Sequence, residues 1–478
     1  MARRNTIRQL TLMTLTLQDA ALTGKNIYTA YIDFSSSFNT INHDKCFQVM
    51  YDLGIPEDAI KNVRHLYSNA TTCVEIPGMG TTSPIPVRQG TIQGDTLSPL
   101  MFNIYLEPLL RWLQVGGRGY AYGCLQGDNT TSIKHACASL AYADDLAIMT
   151  SNLNHMKIQA TKVDQYCTWS NLKANHGKCA ITGICHNDKH TGIMTHTAME
   201  NKTIKHQLEK LFKINGTYIP YLPLNKPYRY LGVQLCMNLD WSYQLQATTN
   251  KLRKSGETLA RSFASQRQCI RYIETVMRPG ATYAFPLAPY QACNINQLDS
   301  IMRSTVKKCC GLPNYIPSVA IHLGHDDMGM GIPSLLVDYV QYKVSALIHA
   351  LQDTGRLGAV TRAMTELCVQ KRGHVPMEDL ATACRYMSIT RQLAIIGQHG
   401  IKITKGTQCM DLAPIDDFWK LTREIVPDPL NTKQQFRIHL RDPLSLKEIG
   451  ITRIADILDP RGTHIIDTNS LGKNASEK

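Results

Sequence analysis

The stretch Ala141-Tyr-Ala-Asp-Asp-Leu-Ala-Ile-Met149 sets two adjacent carboxylates, Asp144 and Asp145, between apolar flanks. Ser139 to Ala143 and Leu146 to Thr150 each have the composition of a short strand, so the segment reads as a β-hairpin with the acids at its tip. Like charges side by side repel, and partial burial raises the cost of ionising either one. A divalent cation removes that cost, and Mg²⁺ takes carboxylate oxygens together with substrate phosphates. A solvated Asp-Asp turn is the commoner use of such a dipeptide. The rest of the chain decides between the two.

The 478 residues are 43% hydrophobic, enough to fill real cores in a multi-domain chain. A net charge of +13 favours a polyanionic partner, with nucleic acid as the first candidate. Between Asp240 and Ala320 ten Lys or Arg stand against four Asp or Glu, which marks that stretch as a candidate electrostatic footprint. Fifteen cysteines without a Cys-x-x-Cys pair indicate neither a disulfide framework nor a standard zinc site. The group Cys179, Cys185, His190 and His196 has ligand-type residues at intervals that match no common zinc pattern. No apolar run reaches the roughly 18 residues of a membrane span. The stretch Leu10-Thr-Leu-Met-Thr-Leu-Thr-Leu17 is too interrupted by threonine for a secretory signal. The expected setting is reducing and intracellular, nuclear or cytoplasmic, and the chain is expected to begin in the middle of a folded domain.

Ile27 to Ile32 is a continuous apolar run that ends abruptly at Asp33, a buried strand delivering a carboxylate at its end. Asn42 or Asp44 can cap a helix over 45–53, with Gly54 as its stop, and a second helix over 57–68 follows Pro56. Short strands over 73–76 and 85–87 flank the turn signal Pro77-Gly-Met-Gly80. Gly90 and Gly94, with Gln89 and Gln93, form a tight polar loop before a helix over 100–113, where free N–H groups can meet phosphate or a base pair. A helix over 153–172, a strand over 178–184, a polar insertion loop over 186–206 and a strand over 228–235 follow. Beyond Trp241 the period is helical throughout, and the last 18 residues are polar and frayed.

Two neighbouring strands can bring Asp33 beside Asp144 and Asp145, giving three carboxylates for two metal ions. One ion lowers the pKa of an attacking hydroxyl while the other neutralises a leaving pyrophosphate. The order Ile32-Asp-Phe-Ser-Ser-Ser-Phe-Asn-Thr-Ile-Asn-His43, Arg88-Gln-Gly-Thr-Ile-Gln-Gly-Asp-Thr-Leu-Ser-Pro99, Tyr142-Ala-Asp-Asp145, Asn175-His-Gly-Lys178 and Tyr230-Leu-Gly-Val233 resembles the successive motifs of reverse transcriptases from non-LTR retrotransposons. Five motifs in order are far more specific than any one of them, and they cover about half the chain.

The resemblance implies an α+β fold, a right-hand polymerase palm of antiparallel sheet backed by helices. Partial fingers and palm would occupy residues 1–237, a basic helical thumb 238–330, and a helical region of unassigned role 331–478. It implies RNA-directed DNA polymerase activity with Mg²⁺ as two ions, Mn²⁺ as a substitute, and an RNA template, a DNA primer and dNTPs as partners. No membrane and no particular protein partner are implied. Asp33, Asp144 and Asp145 match the metal-binding acids, with the backbone carbonyl of Phe34 as a further ligand. Phe38 matches the bulky residue under the incoming sugar, where a ring collides with a ribose 2′-hydroxyl. Gln93 and Gly94 match the loop touching the incoming nucleotide, Lys178 a lysine that protonates the leaving pyrophosphate, and Tyr230, Leu231 and Gly232 the primer grip. The family's earlier fingers elements and its endonuclease fall outside these motifs. The chain is therefore expected to be a fragment or truncated copy, with a catalytically silent, nucleic-acid-binding remnant as the alternative reading.

Overall fold

Asn5 accepts a hydrogen bond from the Arg8 N–H and opens helix α1, Thr6–Thr23, which Gly24 closes with φ 69°. The threonines that break the apolar run are helical positions whose hydroxyls donate four residues back: Thr14 to Leu10 at 2.9 Å and Thr16 to Leu12 at 2.6 Å. With that polarity satisfied internally, α1 buries residues on nearly every side, including Asp19, which accepts from Tyr120 Oη (2.7 Å) and the Gly123 N–H (2.9 Å). The structure, a computed structural model, describes residues 5–92, 94–123, 136–185, 202–316, 318–322, 330–371, 393–396, 400–405 and 408–411. The chain divides into two compact units, Met1–Asp240 and Trp241–Lys478.

In the first unit, strand β1 (Ile27–Ile32) is buried at all six positions. A 3₁₀ turn at Ser37–Asn39 leads to α2 (His43–Asp52), capped by Asn42, and then α3 (Glu57–Ser68). Four two-residue strands, β2 (Thr71–Thr72), β3 (Glu75–Ile76), β4 (Gly80–Thr81) and β5 (Ile85–Pro86), form nested exposed ladders, β2 with β5 and β3 with β4. After α4 (Ser98–Gln114) come β6 (Ser139–Tyr142), β7 (Asp145–Thr150), α5 (Leu153–Ser170) and β8 (Ala180–Ile184). The sheet runs β6-β7-β1-β8 with every pair antiparallel. The alternate residues Tyr28, Ala30 and Ile32 of β1 and Leu146 and Ile148 of β7 join the core that holds Phe102, Tyr105 and Leu109 of α4 and Met156 and Val163 of α5. Each of the Ile, Leu, Val, Phe and Met side chains contributes about 1.5–3 kcal/mol on full burial, so this helix-backed face anchors the sheet whose ends carry the acids.

Two sequence expectations change in this unit. The expected loop over 186–206 includes the start of helix α6 (Lys202–Glu209), while residues 186–201 lie outside the described ones. After the small hairpin of β9 (Lys213–Ile214) and β10 (Thr217–Tyr218), the expected strand 228–235 is instead a hairpin of β11 (Tyr228–Tyr230) and β12 (Val233–Leu235). Leu231 and Gly232 take φ 46° and 84° between them, the two positive values a primed two-residue turn requires. Leucine rarely adopts that conformation, so no turn signal shows in the sequence.

The second unit is built from α7 (Ser242–Ala260), α8 (Gln266–Tyr272), a π turn at Ile273–Met277, α9 (Arg278–Thr282), α10 (Ala292–Cys309), α11 (Ser318–His322), α12 (Leu335–Gln352) and α13 (Arg356–Lys371). Its core holds Leu252, Ile273, Phe285, Ile295, Leu298, Met302 and Tyr339. Gly256 lets α7 meet α10 closely, since a Cβ there would lie 2.4 Å from Thr305 Oγ1. Arg278 forks onto the buried Asp338 through Nε (2.7 Å) and Nη2 (2.6 Å). The region from 331 onward, expected to be helical throughout, also carries a three-stranded antiparallel sheet of β13 (Leu393–Ile396), β14 (Gly400–Lys405) and β15 (Gln408–Asp411). The alternation in Ile401-Lys-Ile-Thr-Lys405 has the period of a strand. Among the described residues no helix is long and apolar enough to cross a membrane.

Candidate active site

Register fixes which carboxylates meet. Ile32 of β1 faces Leu146 of β7, so one step beyond the ladder sets Asp33 opposite Asp145, and Tyr142 faces Asp145 across the β6–β7 pair. The hairpin turn is the two residues Ala143 and Asp144, with Ala143 at φ 51°. Asp33, Asp144 and Asp145 thus sit together at one end of the sheet, on the central strand and the turn beside it.

Asp33 is held by its backbone. Its carbonyl accepts from the Asn175 N–H (2.8 Å), and Ser35 N–H donates to the Lys173 carbonyl (2.8 Å). Cys179 Sγ flanks the same peptide, 3.5 Å from Asp33 N and 3.6 Å from Asp33 O. The motif Asn175-His-Gly-Lys178 is a turn inside this edge, closed by Lys178 N–H and Cys179 N–H on the Asn175 carbonyl (both 2.9 Å). It brings Lys178 Nζ to 3.6 Å from Asp33 Oδ2, with the Asp33 side chain 13% exposed and that of Lys178 68% exposed. Phe34 pairs with Ala174 in a non-hydrogen-bonded position, which turns its own carbonyl away from that strand, while its ring is buried in the core.

Burial, then the neighbouring Asp144 and Asp33 carboxylates, push the Asp145 carboxyl up to about 6, with Lys178 acting in the opposite direction. Among the described residues no set of three or more His, Cys, Asp or Glu side chains is drawn together tightly enough to enclose an ion. That geometry still suits a hard divalent cation. Mg²⁺ uses one or two protein carboxylates and leaves its other positions to water and substrate phosphates, so an open, oxygen-only, overcharged group fits it better than a closed cage would.

Phe38 lies half-buried on the 3₁₀ turn with its ring 5.0 Å from that of Phe102. The Gly/Gln loop is strapped to this turn. Thr91 N–H donates to the Phe38 carbonyl (2.8 Å), Gly90 N–H donates to the Ile41 carbonyl (2.8 Å), and His43 Nε2 lies 2.6 Å from the Gly90 carbonyl. A Cβ on Gly90 would lie 2.7 Å from the Asn39 Cα and carbonyl oxygen. Gly94 has φ 88° with open space around it, and Gln93 lies outside the described residues.

Tyr230, Leu231 and Gly232 are the end of β11 and the turn of its hairpin. Tyr228 stacks on Tyr31 of β1 at 4.0 Å, Tyr230 Oη donates to the Leu140 carbonyl (3.5 Å), and Tyr228 Oη donates to the Lys178 carbonyl (2.8 Å). Sequence reasoning assigns no part to Tyr31 and Tyr228, and although Asn175 and Cys179 stand out in the sequence, their hold on the Asp33 backbone does not. Tyr31 could have been found as the aromatic on the opposite face of β1 from Tyr28. Cys179 and Cys185 flank the two ends of β8, about 20 Å apart along a strand. Cys185 instead pairs with Tyr28 Oη at 2.9 Å, and His190 and His196 lie outside the described residues.

An antiparallel sheet backed by helices, with carboxylates on the central strand and on the tip of the adjoining hairpin, defines this half of the chain as the palm of a right-hand polymerase. Residues 3–235 match the family described as "Reverse transcriptase (RNA-dependent DNA polymerase)". The chain is 24% identical over 328 residues to the Pol polyprotein of the type-2 retrotransposable element R2DM of Drosophila melanogaster, covering 68% of this chain and 28% of that protein. It is 21% identical over 322 residues to the Pol polyprotein of the type-1 retrotransposable element R2 of Popillia japonica, covering 66% and 42%. Residues 3–235 thus match the reverse transcriptase family, the chain is similar to Pol polyproteins of R2 retrotransposable elements, and it spans less than half the length of these relatives. A solved telomerase of Candida tropicalis, in complex with a fragment of telomeric RNA, matches at 10% identity with a TM-score of 0.34, over 83% of this chain and 52% of that one.

Proposed function

We propose that the chain extends a DNA primer on an RNA template, with residues 1–237 as partial fingers and palm and the basic helices of 238–330 as a thumb that grips the template–primer duplex. The observation that carries this reading is the Asp33, Asp144, Asp145 group, brought to one sheet end by strand register, where burial and then the neighbouring carboxylates raise Asp145. Asp33, Asp144 and Asp145, with the Phe34 carbonyl, would hold two Mg²⁺ ions, or Mn²⁺ in their place. Such ions supply activation of the primer hydroxyl and neutralisation of the leaving pyrophosphate.

The chain's own residues do the rest. Asp33 is kept in line with its strand by Asn175 and Cys179, so the backbone that carries its carboxylate stays beside the hairpin acids. Lys178, exposed and paired with Asp33, balances that carboxylate and is placed to give a proton to a leaving oxygen. Phe38, braced by Phe102 and by the strap to Thr91, presents a rigid ring that excludes a 2′-hydroxyl. Gln93 and Gly94 contact the incoming nucleotide through a loop whose glycine allows close approach. The Tyr230–Gly232 turn, tied to the sheet through Tyr31 and Tyr228, holds the primer end.

The test is extension of a DNA primer on an RNA template with dNTPs and Mg²⁺ by the purified chain, with Asp144→Ala as the control. Extension that disappears in the variant supports the reading. No extension by folded wild type in either Mg²⁺ or Mn²⁺ rejects it.

A further inference from the structure

The connection between α7 and α8 carries a phenylalanine that touches nothing. Phe263 has 106% of its reference exposure, the highest among the large apolar residues described. Exposing such a side chain forfeits burial that a folded chain ordinarily takes up, so an isolated Phe at a loop tip invites a partner.

The loop is not loose. Arg261 N–H donates to the Glu257 carbonyl (3.2 Å), Ser262 N–H and hydroxyl to the Leu259 carbonyl (3.0 and 2.7 Å), and Ala264 N–H to Ser262 Oγ (3.4 Å). On the far side Ser265 and Gln268 close a capping box, and Gln266 Nε2 donates to the Cys310 carbonyl at the end of α10 (3.0 Å). Both shoulders are hydrogen-bonded, so the backbone that carries the ring is fixed and presents it to solvent.

The surroundings choose the partner. Six basic residues, Lys251, Arg253, Lys254, Arg261, Arg267 and Arg271, lie within ten residues of the loop along the chain against two acids, Glu257 and Glu274. All six are exposed, and none forms an ion pair among the described residues. The other exposed large apolar residues described in this unit, Tyr243, Val276, Tyr315 and Tyr342, lie more than ten residues away along the chain. A protein partner would call for a contiguous apolar patch. One exposed aromatic on a fixed loop among unpaired cations matches a nucleic acid, whose phosphates take the cations while a base takes the ring.

We infer that the Arg261–Ser265 loop is a nucleic-acid contact in which Phe263 stacks on an exposed base and the flanking arginines engage phosphates. This deepens the polymerase reading, on which it rests for the class of ligand, and it assigns a residue outside the metal-bearing sheet. Equilibrium binding of the full chain to single-stranded RNA, single-stranded DNA and an RNA–DNA duplex with a single-stranded overhang tests it.

Phe263→Ala lowers affinity for at least one probe roughly 5- to 100-fold with an unchanged salt slope, and Phe263→Tyr retains binding. Arg261→Ala reduces the slope of log affinity against log salt by about 0.7–0.9. The melting temperature of Phe263→Ala stays at the wild-type value, since the ring has no contact to lose. Unchanged affinity of Phe263→Ala for all three probes overturns the inference, as does failure of the wild type to bind any of them. A chain that extends no primer but loses binding on Phe263→Ala keeps the inference and rejects the polymerase reading. One that extends normally, with binding indifferent to Phe263, does the reverse.

Discussion

Gly90→Ala and Gly94→Ala form a matched pair that separates two costs. Both glycines have positive φ, 82° and 88°, so either alanine suffers the left-handed penalty of about 1–2 kcal/mol. At Gly94 nothing lies within 4 Å of the added methyl, and that penalty is the whole expected effect. At Gly90 the methyl would sit 2.7 Å from the Asn39 Cα and carbonyl oxygen, backbone atoms that cannot turn aside as a side chain would. Overpacking of this kind adds about 1–3 kcal/mol, so Gly90→Ala is expected to destabilise by about 2–5 kcal/mol in total. Urea denaturation of both variants against wild type measures the difference through the midpoint, provided the slope is unchanged. The strap also transmits the shift: Asn39 adjoins Phe38, so, if Phe38 is the proposed sugar filter, the Gly90 variant is expected to displace its ring and lose sugar selectivity in extension assays. Equal destabilisation by the two substitutions would refute the contact at Asn39.

Asp145→Asn removes a shielded charge that its neighbours repel. It is expected to abolish extension while stabilising the metal-free protein by about 1–2 kcal/mol, well under the full value of the shift because the carboxylate keeps some contact with solvent. Thermal melts in EDTA show a raised midpoint if the charge excess is real and no change if it is not. Phe38→Ala should raise the ratio of ribonucleotide to deoxynucleotide incorporation on the order of tenfold, read from single-nucleotide extension, and an unchanged ratio rejects the ring as the sugar filter. In the helical unit, burial pushes the Asp299 carboxyl up, but His322, Arg303 and the Leu335 N–H outweigh it and hold the group below its ordinary value. Its stabilising contribution is therefore complete above the unfolded value of 3.8 and is lost as pH falls through the folded one. Asp299→Asn should flatten the acid limb of a melting-temperature profile below pH about 4, and an unaltered limb would show that the group is not paired.

The acid-bearing hairpin, β1 and the helices behind them were legible because their signals are local. An apolar run ending in Asp33 and apolar flanks around Asp144 and Asp145 need no knowledge of partners. The parts that escaped depend on compensation that only the fold supplies. Threonines read as interruptions in α1 because their hydroxyls find carbonyls one turn back only once the helix exists. The bend between β11 and β12 hid because Leu231 occupies a conformation that sequence logic reserves for Gly or Asn. The Asn175–Lys178 motif was recognised, but its purpose was not: it is a turn in a sheet edge that fastens Asp33 and aims an ammonium at it. Cys179 looked like a candidate metal ligand by type, and proximity to the Asp33 peptide gives it a different task.

The strand order β6-β7-β1-β8 also dictates a timetable. The middle strand is made first: Tyr28 waits for Thr150 and Ile27 for Ile184, each more than a hundred residues later in the chain. At ribosomal speeds of about 5–20 residues per second that is on the order of 5–30 s with five apolar residues, Thr29 and both hydrogen-bonding edges unmatched. The hairpin of β6 and β7 can close alone as it emerges, so the late step is the insertion of an old strand between two new ones. Nascent chains of this protein should therefore be most vulnerable to aggregation and to chaperone capture while residues 33–184 are being made.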